Sequence, residues 1–350
     1  MASHSYARGA GTGRKDSDDR AVLAAAAHLT ERDRYLVRLV GEHRVLTTDQ
    51  LCALGFSSIV TARHRLGVLA AIGVLRRVRP HPETGSAPWH YLLGPVGAAL
   101  LGAEDRDEKK WAPQVRAERQ LALERSQRLG HMTGRNWFFV ALAAHARTGG
   151  GELREWLNET QAASRYHAQA VVRPGDWNRL PNPDGLGTWA EAGREVTFWL
   201  EYDTGIENLP RLAAKLDGYA ILASALASAD AACPPLLFCL PGPRREQSAR
   251  RTLAGHPDAG KLRIATAAID PRATCPAAPV WLPLGQASGP VRLIDLAAAI
   301  PDPWQGYRDE QARQRRQAIE DERARLLEAG WDERNVAQLA EQAAGQGSRR

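Results

Sequence analysis

The sequence predicts an α+β protein with two folded units, a small helix-rich front and a larger α/β body, followed by a charged helical tail. Three observations carry this. The chain has 350 residues, about twice the length of a usual single domain. Residues 28–102 hold three short amphipathic helical patterns closed by two strand-like runs, and residues 131–290 alternate helical and strand-like stretches. Beyond Pro301 a dense run of Arg, Glu and Gln flanks a thin apolar stripe (Leu326, Leu327 beside Glu320, Glu322 and Arg323), which reads as a helical tail over 301–345.

The front unit is built from local signals. Thr30-Glu31-Arg32-Asp33 has the form of a capping box, and Tyr35, Leu36, Leu39 and Val40 follow at helical spacing up to Gly41. Thr47 opens a second short helix that closes near Gly55. Ser57-Ser58 caps a third, whose inner face is Ile59, Ala62, Leu66, Leu69 and Ile72. Strand-like 74–79 follows, then a Pro/Gly turn (Pro80, Pro82, Gly85, Pro88) and the return strand 89–93. Three short helices and a hairpin in that order describe a winged helix-turn-helix. Its third helix is expected in a major groove, with Thr61, Arg63, His64 and Arg65 outward, while Arg76, Arg77, Arg79 and His81 of the hairpin meet phosphates. From 60 to 90 there are five Arg against one acid, Glu83, so the local field is strongly positive. The same fold also serves as a protein-interaction or dimer module, and a homodimer stays open.

Composition bounds the function. With 46 Lys+Arg against 40 Asp+Glu the formal net charge is +6, a mild basicity that favours a polyanion partner. No window approaches the roughly 18 consecutive apolar residues of a membrane span. Residues 1–27 are expected to be a disordered leader, without a signal-peptide core at the polar start. Cysteines 52, 233, 239 and 275 form neither a zinc spacing nor a disulfide framework, so a reduced, cytoplasmic protein is expected. There is no phosphate-cradling Gly-Lys loop and no nucleophile elbow, which leaves ATPase and serine-hydrolase readings unsupported. Lysine occurs only at 15, 109, 110, 215 and 261, against 41 arginines.

Residues 103–130 are charge-dense and read as a linker leading into a helix. In the body the richest stretch is 181–219. Residues 195–203 alternate, placing Glu201 and Asp203 on one face at one strand end. Pro183-Asp184-Gly185 is a turn, and pairing as a hairpin brings Asp184 beside Glu201. Clustered carboxylates repel unless a cation removes the penalty. Mg²⁺, held by Asp184, Glu201 and Asp203, would do so and suits phosphodiester hydrolysis. The next helix carries Leu209, Leu212, Leu216 and Tyr219 inward, with Lys215 at the margin and within reach of the carboxylates. The structural alternative pairs Glu201 or Asp203 with Arg194 or Arg211 and leaves Asp184 capping a turn. His131, His145 and His167 lack metal-ligand spacing and read as solvated or core histidines.

The order Pro183-Asp184, Glu201-x-Asp203, Lys215 resembles the PD-(D/E)XK nuclease superfamily. That resemblance implies a helix-strand-strand-strand-helix-strand core with Asp184, Glu201, Asp203 and Lys215 as catalytic residues. Asp203 stands where the pattern has a strand lysine, and Lys215 represents a lysine moved to the following helix. Over both units the chain also resembles the replication-relaxation family of actinobacterial and plasmid-borne proteins. The residues that carry this are ERDRYLVRLVGEHRVLTTDQLCALGF, RLGVLAAIGVLRRV and WLEYDTGIENLPRLAAKLDGY. It implies a role in plasmid replication and DNA relaxation through binding double-stranded DNA, with replication or relaxosome proteins as partners. A non-catalytic scaffold and a transcriptional regulator remain as alternatives.

Overall fold

The computed structural model describes residues 20, 22–80, 87–124, 126, 128–170, 172, 173, 175–286, 289–333 and 336. The molecule is a mixed α+β protein with two sheets. Among the described residues no helix is long and apolar enough to cross a membrane.

The front unit begins earlier than 28, because residues 22–28 form a helix (α1) with Ala25 buried. Helix α2 (Glu31–His43) starts on the Thr30–Asp33 capping box. β1 (Leu46–Thr47) leads into α3 (Thr48–Gly55), which starts on a second capping box between Thr47 and Gln50. Ser58 caps α4 (Ile59–Ala71). Each cap satisfies an N–H that the helix itself leaves open. β2 (Leu75–Val78) and β3 (His90–Leu93) pair antiparallel, and β1 joins β3 on the other side. The tip of the expected hairpin, with His81 and Glu83, lies outside the described residues. Ala62, Leu66 and Leu69 are buried as expected of the α4 inner face, but Ile72 is exposed at the helix end.

The expected linker is folded. α5 (Pro95–Asp105), α6 (Glu108–Trp111), a 3-10 turn at Ala112–Val115 and α7 (Ala117–Glu124) lie along the front unit. Trp111 is buried in its core, and Gln120 of α7 donates to Leu93 O at 2.9 Å and accepts from Arg76 at 2.6 Å.

The body is a six-stranded sheet in the order β4 (Glu152–Asn158), β5 (Gly185–Glu191), β6 (Arg194–Tyr202), β7 (Leu236–Leu240), β8 (Ile264–Ala268), β9 (Leu282–Pro283). β4, β5 and β6 form an antiparallel meander; β7 and β8 continue parallel to β6, and β9 returns antiparallel. Each face has its own core. α9 (Glu159–His167), α10 (Leu209–Ser228) and α11 (Pro243–Ala254) cover Trp199, Leu236 and Phe238 on one side. On the other, α8 (Arg128–Arg147) and α12 (Leu296–Ala299) cover Phe198, Leu200 and Leu237. α13 (Gln305–Glu328) is docked at its start, where Trp304 donates to Lys261 O at 2.9 Å and Arg308 pairs with Asp302 at 2.7 Å. Most of its remaining residues are exposed.

The two units share a seam. Val140 of α8 belongs to the front core, Asn136 Nδ2 donates to Val45 O at 2.8 Å, and Gln50 Nε2 donates to Thr133 O at 2.8 Å. His43 stacks on Trp156 of β4 with ring centroids 3.7 Å apart.

Candidate functional site

A cleft of about 1520 Å³ opens along this seam. The end of α2, α7, one face of α8, the first turn of α9, the strand end at Glu201 and the first turns of α10 line it.

The hairpin register brings the carboxylates together. Gly185 stands opposite Leu200, so Asp184 and Glu201 follow at the same sheet end. The Glu201 side chain is buried and points to the α10 face. Lys215 Nζ donates to its Oε2 at 2.7 Å, and Tyr219 OH, one helical turn on, donates to its Oε1 at 2.6 Å. Lys215 also stands 3.3 Å from Glu207 Oε2. Asp184 Oδ2 accepts the Tyr202 backbone N–H at 2.8 Å and contacts His131 Nε2 at 3.1 Å. His131 Nε2 lies 2.8 Å from Tyr202 O as well, so it is the protonated nitrogen, shared between two acceptors.

The environment sorts the charges. Burial, reinforced by the Asp184 charge, pushes the Glu201 carboxyl above its ordinary value despite Lys215 and Tyr219. Burial acts to raise Asp184 too, but the hydrogen bond and charge of His131 hold it below the usual carboxylate range. Burial acts to lower His131 and Lys215, and the adjacent carboxylates overcome it and raise both. Burial and Glu201 together push the Tyr219 hydroxyl well up. The result is two acid–base pairs side by side, Asp184 with His131 and Glu201 with Lys215.

Asp203 does not join them. Its Oδ2 accepts from Arg245 Nε at 2.7 Å and its Oδ1 from the Gly205 N–H at 2.8 Å, so both oxygens are engaged in holding the loop before α10. The expected three-carboxylate ligand set is therefore reduced to Asp184 and Glu201. Arg194 pairs with Asp295 and Arg211 with Glu207, so neither neutralises the cluster as the structural alternative supposed. A different group, Asp217, His256 and Asp258, brings its ligand atoms within 4.8 Å of one another. There Nδ1 of His256 accepts the Asp258 N–H at 3.2 Å and Lys261 pairs with Asp258 at 2.7 Å, so much of its donor capacity is already used.

On the front unit Thr61, Arg63 and His64 are exposed on α4. Arg65 is not a free outward residue. It grips the buried Asp33 carboxylate at 2.7 Å and donates to His28 O at 2.7 Å, because Asp33 needs a cation once the Thr30 cap has buried it. Arg76 is half-buried against Gln120. Arg77 and Arg79 are exposed and lie over the Trp89 ring at 4.8 and 4.7 Å.

Sequence reasoning missed three residues of the cleft: His131, Tyr219 as a polar partner, and Arg135. The i,i+4 step from Lys215 to Tyr219 was the signal for the tyrosine. His131 gave none, since its partner stands 53 positions downstream.

The family model described as Replication-relaxation matches residues 37–234. The chain belongs to the replication-relaxation family. The match covers more than half of the chain and every side chain of the cleft described above, and it ties the protein to a replication-related function. No curated protein and no solved structure matches the chain.

Proposed function

We propose that this replication-relaxation protein binds double-stranded DNA through a winged helix made of α2, α3, α4 and the β2–β3 hairpin, and cleaves the DNA backbone at the Asp184–Glu201–Lys215 cluster. One observation carries the second half: Lys215 sits 2.7 Å from a buried Glu201 beside Asp184, within a cleft that Arg44, Arg119, Arg128 and Arg179 also line. The sequence α8, β4, β5, β6, α10, β7, with α9 inserted, supports a nuclease-like core in the order the PD-(D/E)XK resemblance implies.

Asp184 offers Mg²⁺ a free carboxylate oxygen, whereas Glu201 would have to exchange its Lys215 or Tyr219 hydrogen bond for the ion. Asp184 Oδ1 has no hydrogen-bond partner among the described residues, and Mg²⁺ commonly takes one or two carboxylates with substrate phosphate oxygens. Asp184 and Glu201 would hold it, and when bound it would supply charge neutralisation at the phosphate. Lys215 is placed to orient the attacking water or to neutralise a phosphate oxygen. Arg77 and Arg79, and Arg63 on α4, provide sequence-independent contact with backbone phosphates.

A second reading, a non-catalytic scaffold of a replication or transfer complex, is favoured by Asp203, which replaces the strand lysine and is tied to Arg245. Titration of labelled duplex across a salt series tests the DNA-binding half. The logarithm of the association constant is expected to fall linearly with log salt, by about 0.9 per phosphate contact. A flat response sinks it.

A further inference from the structure

Arg135 is the unexplained charge of the cleft. The residue is 5% exposed, yet no carboxylate pairs with it among the described residues. Its one hydrogen bond among the described residues runs from Nε to Asn136 Oδ1 at a long 3.4 Å, and its terminal nitrogens, with no partner among those residues, reach the open cleft. A buried cation is ordinarily paired, because leaving it alone forfeits its hydration with nothing in exchange. Arg135 lines the cleft, one helical turn beyond His131 on the same face of α8. Its neighbour Asn136 bonds the front unit at Val45, which puts Arg135 at the seam.

The front unit faces it with a second cation. Arg44 ends α2 with φ +69°, is exposed, and lines the same cleft, and its charge is felt at Arg135. His43 beside it is buried, and both its ring nitrogens lack hydrogen-bond partners. The acids nearest in effect, Asp184 and Glu159, form no ion pair with Arg135. Arg44 and Arg135 thus line one cleft, and among the described residues neither forms an ion pair, although the Asp184 and Glu159 charges also reach Arg135.

We propose that Arg135 and Arg44 together hold one backbone phosphate of duplex DNA at the seam, separate from the phosphate at Asp184 and Glu201. This rests on the DNA reading above and extends the track from the front unit to the carboxylates. The cleft, at about 1520 Å³, exceeds the roughly 300–1,000 Å³ of small-molecule sites. It presents no exposed aromatic ring among the described residues, so backbone contact with a duplex fits it better than stacking on a single strand.

The test uses the full chain, a fluorescein-labelled duplex, anisotropy across a salt series, and the variants Arg135→Gln and Arg44→Gly. Glycine tolerates the positive φ at 44, so this exposed position gives a folded variant even if Arg135→Gln does not fold. Because the two arginines share one phosphate, either substitution is expected to weaken binding on the order of five- to tenfold at moderate salt and to lower the salt slope by up to about 0.9, with the double variant lowering it no further. Slopes equal to wild type, with lowered melting temperature alone, overturn the proposal and leave Arg135 a strut. A second arm adds inorganic phosphate or dAMP at constant ionic strength. If either raises the melting temperature of wild type but not of Arg135→Gln, while duplex slopes are unchanged, the seat serves a free anion and the proposal is wrong. If wild type binds no duplex, the DNA reading and this seat fall together; if it binds and only these slopes are unmoved, the seat alone falls.

Discussion

Glu201 is the residue on which the cluster turns, since one α10 turn supplies both of its donors. Tyr219→Phe removes the shorter bond and leaves Oε1 buried without a donor, which is expected to cost about 1–3 kcal/mol in urea denaturation. In the double variant with Glu201→Gln the two effects should be non-additive; strict additivity would show the hydroxyl and carboxylate to be uncoupled. His131 and Asp184 give a pH signature. His131 is raised, so its contribution is full below the ordinary imidazole value of about 6.5 and is lost as pH rises through its higher folded value. Asp184 is lowered, so its contribution holds above the ordinary carboxylate range and is lost as pH falls through the lowered value. Melting temperature should therefore drop in wild type as pH rises past the ordinary imidazole value and through the higher folded one, and His131→Gln should flatten that drop. An unchanged profile in His131→Gln would show that the histidine carries no charge in the fold. Asp184, Glu201 and Lys215 were legible because a turn, an alternating strand and a helical step each act locally. His131 and Arg135 were not, because tertiary packing alone gives them their neighbours.

At the scale of elements, the front-unit arginines divide into one tied to a buried carboxylate and two that are exposed. Arg65 clamps α4 to the start of α2, whereas Arg77 and Arg79 stand on the sheet edge over Trp89. Arg65→Ala leaves the buried Asp33 without its cation and should cost about 2 kcal/mol or more, with no change in the salt slope of DNA binding. Arg77→Ala with Arg79→Ala should do the reverse: little change in stability and a slope lowered by about 1.8. Measuring both quantities on both variants decides which arginines touch phosphate. The first turn of α5 is equally tight. A Cβ at Gly97 would meet Val74 O at 2.2 Å, and the backbone there cannot give way cheaply. Gly97→Ala is expected to lose about 1–3 kcal/mol, read from chemical denaturation, and a neutral result would mean that the β2–β3 sheet moves freely against α5. The Thr30, Thr47 and Ser58 caps were readable in sequence since cap and helix are neighbours. The Arg65 role was hidden, since Asp33 lies 32 positions away.

For the whole molecule, the seam matters more than the division into units. Composition and length pointed to two domains joined by a charged linker. In the structure that linker is folded against the front unit, and Val140, Asn136, Gln50 and the His43–Trp156 stack join front to body. Such shared burial predicts that the two unfold together, in one calorimetric transition; two resolved transitions would show the seam to be a weak contact. Residues of both units line the cleft, so the end of α2 and the carboxylates face one space. The charge pattern supports this reading: the mild net charge of +6 understates the local fields of the Arg63–Arg79 surface and the arginine-lined cleft. The cluster at the end of this cleft is proposed to act on a DNA backbone. The most direct measurement is incubation of supercoiled plasmid with the full chain and Mg²⁺, beside Glu201→Gln and Lys215→Met. Nicked or linear product is expected from wild type, suppressed by a chelator and absent with either variant although both still bind the plasmid. Intact plasmid with wild type under conditions of demonstrated binding, or equal cleavage by the variants, would contradict it.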